Sequence, residues 1–500
     1  MESIEATTPK YMVYCVMVAS LTSLSLGWIM GSPNVPGEVT HNCPTGNARI
    51  FSFSFPDCLP MTTYGWAFAV ASFGIGGFFG GIGSVYFQSK VGRKRTIMLS
   101  NAGFVIGSVI IALSISPAMF IIGRIIVGLS CGMCTMVIPT YIGEISTIRA
   151  RGAMGCFHPL FIALGIFLTT LIGMFLAYVP YWRLCYALAG LPSLIQMILM
   201  ISCAESPRWL ISMNQIEKAR HALQQLRGSA DVDREFFEMI QGQVGATAAG
   251  SVSSHPMALD DTDDEGENIP VEPGEEGMVY RRPMEQQMTL RALARDPVLR
   301  RMTMTLLSIH ALQQFMGMSA IVYYSTMVFS ITFSQARLVA ILATLDTIVN
   351  MLMTVAAVAL IDRMGRRKLL MISEAGTALF SVVTFLGLFF HQPILLTVGL
   401  LCYVAVYSLG MGPIPWILTI DMCPTYASTT IGGLATCLHW IINFVMAFFF
   451  PIVLGAIQGF TFLIFAGVSL AALVFTYLYV PETKNRSIES VVREYESRCR

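Results

Sequence analysis

Residues 311–324 place two amides (Gln313, Gln314), a glycine (Gly317), a hydroxyl (Ser319) and two phenols (Tyr323, Tyr324) inside an otherwise apolar run. An amide left without a partner in hydrocarbon is costly, so such a cluster must face a protein interior or a watery cavity. Each amide offers a donor and an acceptor to a hydroxylated solute. The glycine lets a helix loosen, and the phenols can stack on a ring face or close a gate. The stretch reads as half of a binding site for a polyhydroxylated solute.

The elements that must position these residues are membrane spans. The chain has 500 residues, 55% of them hydrophobic and 12% charged, with a mean hydropathy of +0.65. Soluble domains carry about 25% charged residues. A net charge of +1 gives no case for nucleic acid. Apolar runs of the ~20 residues needed to cross a bilayer recur along the chain. They lie at about 11–31, 62–88, 97–115, 118–142, 153–179 and 184–203, then at about 302–327, 338–361, 368–390, 394–418, 428–454 and 458–480. The first run is long and lacks a small-residue cleavage site, so it reads as a span and not as a secretory signal.

The expected fold is an all-α membrane protein of twelve transmembrane helices in two six-helix bundles. The bundles are 1–203 and 301–480, with a cytoplasmic region at 204–300 and a short tail at 481–500. Lys90, Arg93, Lys94 and Arg95 share one loop, Arg149 and Arg151 the next on that side, and Arg363, Arg366, Arg367 and Lys368 another. The excess of positive charge in these loops places both termini and the middle region in the cytoplasm. Within the middle region, Ile216, Ala219, Ala222, Leu223 and Leu226 have helical spacing. Residues 245–282 are Ser, Gly, Pro and acid, including Asp260, Asp261, Asp263, Asp264 and Glu265, a composition too poor in apolar groups to order itself. Asn485, Arg486 and Ser487 form a glycosylation sequon on the cytoplasmic side, where it should stay unmodified.

Most of the 12 cysteines sit in apolar runs and read as small packing residues, the Cys131/Cys134 pair included. Cys43 and Cys58 share the polar loop after the first span, where a disulfide and two free thiols are both open. The chain shows no phosphate-binding loop, no HExxH and no nucleophile triad, which excludes an ATP-driven pump and gives no support to an enzyme. No cofactor and no metal is expected.

The two halves echo each other. Gly92-Arg93-Lys94-Arg95 matches Gly365-Arg366-Arg367-Lys368, and Glu205-Ser206-Pro207-Arg208 matches Pro481-Glu482-Thr483-Lys484, in the same order. A duplicated six-helix unit with a cavity between its copies follows.

These motifs, together with Gly123-Arg124, Tyr141-Ile142-Gly143-Glu144 followed by Arg151-Gly152, Gln313-Gln314 with Tyr323-Tyr324, and Gly412-Pro413-Ile414-Pro415-Trp416, resemble the sugar porter family of the major facilitator superfamily. Within it the chain is similar to the facilitative hexose transporters. The resemblance implies a major facilitator fold in a cell membrane, a chain functional as a monomer, and two bundles that rock around a central sugar, glucose first among candidates. It places sugar contacts on Gln313, Gln314, Ser319, Asn350, Trp416 and Asn443, and a hinge and gate at Gly412, Pro413, Pro415, Tyr323 and Tyr324. It further implies that Arg124, Glu144, Arg151, Glu205, Arg208, Arg366, Arg367 and Asp421 sit at cytoplasmic helix ends and form ion pairs between the halves.

The chain departs from the family where His158 is followed by Pro159 in place of glutamine. It also departs at Ser319, Ser408, Ser428 and His439, each of which changes a hydrogen-bonding arm. The first span, through Gly27-Trp28-Ile29-Met30-Gly31, holds no aspartate, which argues for a uniporter. Against this stands Asp346, one turn before Asn350, with His310 as its candidate partner in proton coupling; the alternative is a carboxylate hydrated or paired near the outer mouth. A sugar receptor that binds without transporting is the reading from another class.

Overall fold

The structure is a computed structural model and describes residues 8–43, 55–147, 150–237, 239–240, 290–423, 425–484, 486 and 488–499. The acidic stretch 245–282, Arg149 and the ends of the sequon, Asn485 and Ser487, lie outside the described residues.

Twelve helices are long and apolar enough to span a bilayer. They are α1 (Lys10–Gly31), α2 (Thr63–Val91), α3 (Arg93–Ala112), α4 (Pro117–Ile145), α5 (Arg151–Leu176), α6 (Trp182–Ser202), α7 (Pro297–Ser330), α8 (Ala336–Ile361), α9 (Arg366–Phe389), α10 (Pro393–Thr419), α11 (Thr430–Ile457) and α12 (Phe460–Tyr479). Their ends follow local chemistry. Thr62 caps α2 by accepting from Gly65 N at 3.1 Å. Ser116 accepts from Met119 N at 3.3 Å with Pro117 opening α4, and Asp296 accepts from Val298 N and Leu299 N with Pro297 opening α7.

The packing is the same in each half. Helices α2 and α4, α3 and α4, α1 and α5, and α3 and α6 pack together in the first; α8 and α10, α9 and α10, α7 and α11, and α9 and α12 are their counterparts in the second. The halves meet along α2 against α11 and α5 against α8, which are themselves an equivalent pair of seams. A duplicated unit docked across a two-fold relation produces this pattern.

The motif echo has a structural cause. Gly92 (φ 95°) and Gly365 (φ 89°) turn the chain between α2 and α3 and between α8 and α9. That conformation suits glycine, and it aims the first N–H groups of the next helix outward. Glu205 accepts those of Arg93 and Lys94 at 3.1 Å, and Glu482 accepts those of Arg366 at 2.9 Å and Arg367 at 3.2 Å. Beside each cap lies an ion pair, Arg93 with Glu144 at 2.7 Å and Arg366 with Asp421 at 3.1 Å. A hydroxyl completes each group, Ser206 on Glu144 and Thr483 on Asp421.

Two observations differ from what the motifs imply. Both of these ion pairs join residues of the same half, so the charges bind three helix ends of one bundle together. They share an end of the bundle with Glu205, Arg208, Arg151 and Arg367, but Arg124 does not. It lies twenty residues before Glu144 on α4, about 30 Å away at 1.5 Å per residue. There it is fully buried, donating to Ile29 O at 3.1 Å and Val70 O at 3.0 Å, with its guanidinium 5.0 Å from the Phe73 ring centre. Helix α4 runs toward the end that carries Glu144, so the order of the spans already puts its first turns, and Arg124 with them, at the opposite end.

Helices Pro207–Ser212 and Ile216–Arg227 follow α6. Ala219, Ala222, Leu223 and Leu226 are buried beneath the second, and Arg227 docks it by donating to Ile145 O at 2.9 Å while pairing with Glu235 at 2.6 Å. Cys43 and Cys58 form a disulfide with a Cα separation of 5.8 Å. Cys131 and Cys134 are free, buried thiols inside α4.

Candidate functional site

Two spans of the second half are broken, and the breaks face each other. Helix α7 stops at Phe315 and restarts at Met318 through Gly317 (φ 95°), where a β-carbon would run into the Phe465 ring. It kinks again at Tyr324. Helix α10 stops at Leu409 and restarts at Ile414, across Gly410, Met411, Gly412 and Pro413. Each break frees backbone groups that water cannot reach, and inside a membrane these need partners from protein.

The breaks supply one another. Gln313 Nε2 donates to Met411 O at 2.7 Å and Gly412 O at 3.0 Å. In return the Tyr407 hydroxyl donates to Gln313 O at 3.1 Å and that of Tyr403 to Met316 O. Ser373 of α9 accepts from Met411 N at 3.1 Å. Gln313 thereby spends its donor on the hinge and keeps Oε1 buried and unpartnered. The proline and glycine motif of α10 thus coincides with a break in the helix, tied to α7 by a residue whose motif implies a sugar contact.

Gln314 anchors a second network. Its Oε1 receives the Ser319 hydroxyl at 2.8 Å and Asn443 Nδ2 at 3.4 Å, while its Nε2 lies 3.0 Å from His439 Nδ1. Asn443 Oδ1 receives the Tyr323 hydroxyl at 3.0 Å. The ring of Trp416 sits between two imidazoles, 4.6 Å from His310 and 5.2 Å from His439, edge to face with both. His439 in turn meets Trp440 at 5.4 Å, and Trp440 meets Phe73 of α2 at 5.1 Å, so the row of rings crosses from one half to the other. Trp416, His439 and Asn350 keep part of their surface open, whereas Gln313, Gln314, Ser319 and Asn443 are buried.

Asn350 stands apart from that network, on α8, within 2.8 Å of the Ser408 hydroxyl. Tyr323 and Tyr324 are buried, the second donating to Ala447 O at 2.9 Å. At this end of the bundle Asn34, after α1, holds α7: its Nδ2 donates to Ser325 Oγ at 2.8 Å and its Oδ1 accepts from Thr326 N at 3.0 Å. The tyrosines therefore sit beneath a closed contact between the halves.

Asp346 and His310 do not pair. His310 Nε2 meets Thr419 Oγ1 at 3.0 Å, and no ion pair to Asp346 exists among the described residues. Asp346 is 3% exposed, and its Oδ1 has no partner among the described residues. On the first half, His158 Nδ1 meets Ser23 Oγ at 2.7 Å, so the histidine of α5 is engaged with α1.

Sequence reasoning registers His439 only as a departure from the family and passes over Thr419, Tyr403 and Tyr407. A signal for the histidine is present in part, since His439 lies four residues before Asn443 and so on the same helix face. No spacing points to the tyrosines, whose role exists only once α7 and α10 break side by side.

A family model described as sugar (and other) transporter matches residues 15–495. The facilitated glucose transporter member 3 of solute carrier family 2 is 29% identical over 98% of this chain and 94% of its own length in Rattus norvegicus. The Homo sapiens protein of that name is 29% identical over 99% and 94%, and the Rattus norvegicus member 2 is 28% identical over 88% and 79%. Among solved structures, the proton:xylose symporter XylE bound to 6-bromo-6-deoxy-D-glucose superposes with a TM-score of 0.75 at 22% identity, covering 98% of this chain and all of its own. The partially occluded, inward-open form of the E. coli protein gives 0.74 at 21%, over 96% of this chain. Twelve spans in two equivalent bundles, two interrupted helices lined with amides and aromatic rings, and a family match along nearly the whole length lead to one conclusion: the chain belongs to the sugar (and other) transporter family, with the major facilitator fold.

Proposed function

We propose that this protein carries a hexose, glucose first among candidates, down its gradient across the plasma membrane by alternating access. Both termini and region 204–300 face the cytoplasm in this reading, and the monomer is the working unit. One observation carries it. Amides, imidazoles and an indole gather around the facing breaks of α7 and α10, where hydroxyls can find donors, acceptors and an apolar face together.

The bound sugar would sit against Trp416 and His439 and reach toward Asn350 on α8, the three candidates with open surface. Gln313 Oε1, buried beside His310, would meet a hydroxyl only if the break in α10 shifts to uncover it. Because Gln313 also ties the α10 hinge to α7, sugar that engages it acts on the moving part, which is how a ligand biases a two-state element. The relatives named as glucose transporters favour this substrate.

Radiolabelled glucose uptake into proteoliposomes tests the proposal. Equilibration to the outside concentration, unchanged by an imposed proton gradient, is the expected result. Gln313→Ala should reduce the rate by about tenfold or more at normal expression, since it removes a hinge tie and a sugar acceptor. Wild-type rates in that variant would overturn the site.

A second reading, proton-coupled symport, is favoured by Asp346. A carboxyl buried this deeply without a cation or donor is costly when charged, so it can exchange a proton when the bundles rock. Accumulation driven by the gradient, lost in Asp346→Asn, would establish it. Binding of sugar without any uptake would establish a receptor instead.

A further inference from the structure

The duplication that repeats the glycine turns also repeats a buried polar position. Asn101 of α3 lies nine residues after Gly92, Glu374 of α9 lies nine residues after Gly365, and both are fully buried. In the first half an amide fills the place, with Asn101 Oδ1 accepting from the Thr22 hydroxyl of α1 at 3.0 Å. In the second a carboxyl fills it. Its Oε1 accepts from the Thr476 hydroxyl of α12 at 2.7 Å, and its Oε2 is buried without a partner among the described residues. An amide is neutral at every pH, whereas a carboxyl is neutral only while it holds a proton.

The ionisable groups around Glu374 are engaged elsewhere. On α9 itself Arg366 pairs with Asp421 of the α10 segment, Arg367 donates to Tyr477 O of α12 at 2.6 Å, and Lys368 is exposed. Glu482 is spent on the first N–H groups of α9. On α10 the Tyr403 and Tyr407 hydroxyls go to Met316 O and Gln313 O, and on α12 Tyr477 and Tyr479 are exposed. On α8 Arg363 is exposed, and Asp346 stands about 27 Å from the turn at Gly365 while Glu374 stands about 12 Å from it, at 1.5 Å per residue. A charge on Glu374 would have one donated bond and no cation, so the folded bundle accommodates the neutral acid.

The same turn of α9 supports the α10 break. Ser373, the neighbour of Glu374, accepts from Met411 N at 3.1 Å and donates to Tyr407 O at 3.3 Å. A β-carbon at Gly410 would lie 2.5 Å from Ser373 Cβ, so the break rests directly on this turn.

We propose that Glu374 is a proton-binding site that controls the α10 break: the carrier works with this acid neutral and stalls when its proton passes to water at the end of α9 that carries the ion-pair cluster. The ionised group must draw in water or a cation, which shifts the turn on which Ser373 holds Met411. The device rests on the transport reading above. It is separate from gradient coupling at Asp346, because it acts with equal pH on both faces.

The test is equilibrium exchange of labelled glucose by the full chain in proteoliposomes, with the same pH inside and outside. Each pH unit beyond the midpoint lowers the neutral fraction about tenfold, so the wild-type rate should fall at least about threefold between about pH 6 and about pH 9.5. Glu374→Gln gives this position the kind of group that Asn101 supplies in the first half. It should match the wild type at the acid end and stay level as the pH rises, and Asp346→Asn should keep the wild-type profile. A wild type without the fall, a Glu374→Gln variant that falls with it, or a profile flattened by Asp346→Asn instead overturns the proposal.

If Glu374→Gln does not reach the membrane, Glu374→Leu runs the same comparison: a level profile supports the site and a wild-type fall overturns it. Melting of the detergent-solubilised protein gives a readout free of transport. The folded wild type holds the proton that the unfolded chain releases, so its stability should drop as the pH rises, and by more than that of Glu374→Gln. A wild type that carries no sugar at any pH overturns the transport reading, while the melting comparison still decides Glu374, equal drops overturning it.

Discussion

At the scale of single residues, buried polar groups here are assigned by counting partners. Gln313 gives both N–H groups to carbonyls of the α10 break, and Gln314 gathers Ser319, Asn443 and His439 around its amide. Neighbours in sequence, they do different work because successive helical positions point about 100° apart. Arg124 gives the same lesson away from the site. It forms no ion pair with a carboxylate among the described residues, and its two donated bonds join α1 and α2 to α4. Arg124→Lys offers one point charge where two carbonyls on different helices must be reached, so it should destabilise the bundle by about 1–3 kcal/mol. The check is a fall in the melting temperature of the detergent-solubilised protein; an unchanged value would mean that lysine or water replaces both bonds.

At the scale of elements, the seam between α2 and α11 is shaped by size. Trp440 packs against Gly77, where a β-carbon would press into the indole, and a β-carbon at Gly74 would crowd the Phe444 Cβ and backbone N and the Trp440 carbonyl. Close approach of this kind is what small residues do between membrane helices. Gly77→Leu should therefore wedge the seam and slow transport by about tenfold or more, the overpacking cost of ~1–3 kcal/mol falling on whichever state closes it. The measurement is counterflow of labelled glucose at matched protein density, and a normal rate would show that the seam does not carry the transition. Because Trp440 adjoins His439, the same substitution should also alter the sugar preference, whereas Arg124→Lys should not.

At the scale of the whole molecule, the repeated charge clusters separate two designs. If they hold one bundle's helix ends together, Arg93 should couple with Glu144 and Arg366 with Asp421 by about 1 kcal/mol in double-mutant cycles on stability, and Arg93 should not couple with Asp421. Coupling between the halves would restore the strut expected from the motifs. Equivalent substitutions in the two clusters, such as Glu205→Gln and Glu482→Gln, should have matching effects, since each carboxylate caps the helix that follows its glycine turn.

What the sequence determined by itself is whatever depends on neighbours along the chain. Hydropathy and span length set the number of helices, the basic loops their common end, and the glycine and proline positions where α10 had to break. The echo of Gly92 and Glu205 in Gly365 and Glu482 marked the duplication, because each pair has to meet at a helix start. The tertiary structure alone decided which groups face one another across helices. It separated His310 from Asp346, closed Cys43 on Cys58 and joined the broken α7 to the broken α10 through Gln313, Tyr403 and Tyr407. The physical reason is that helical spacing fixes the face on which a side chain lies but says nothing of the helix opposite. In a membrane every polar group must still find its partner there.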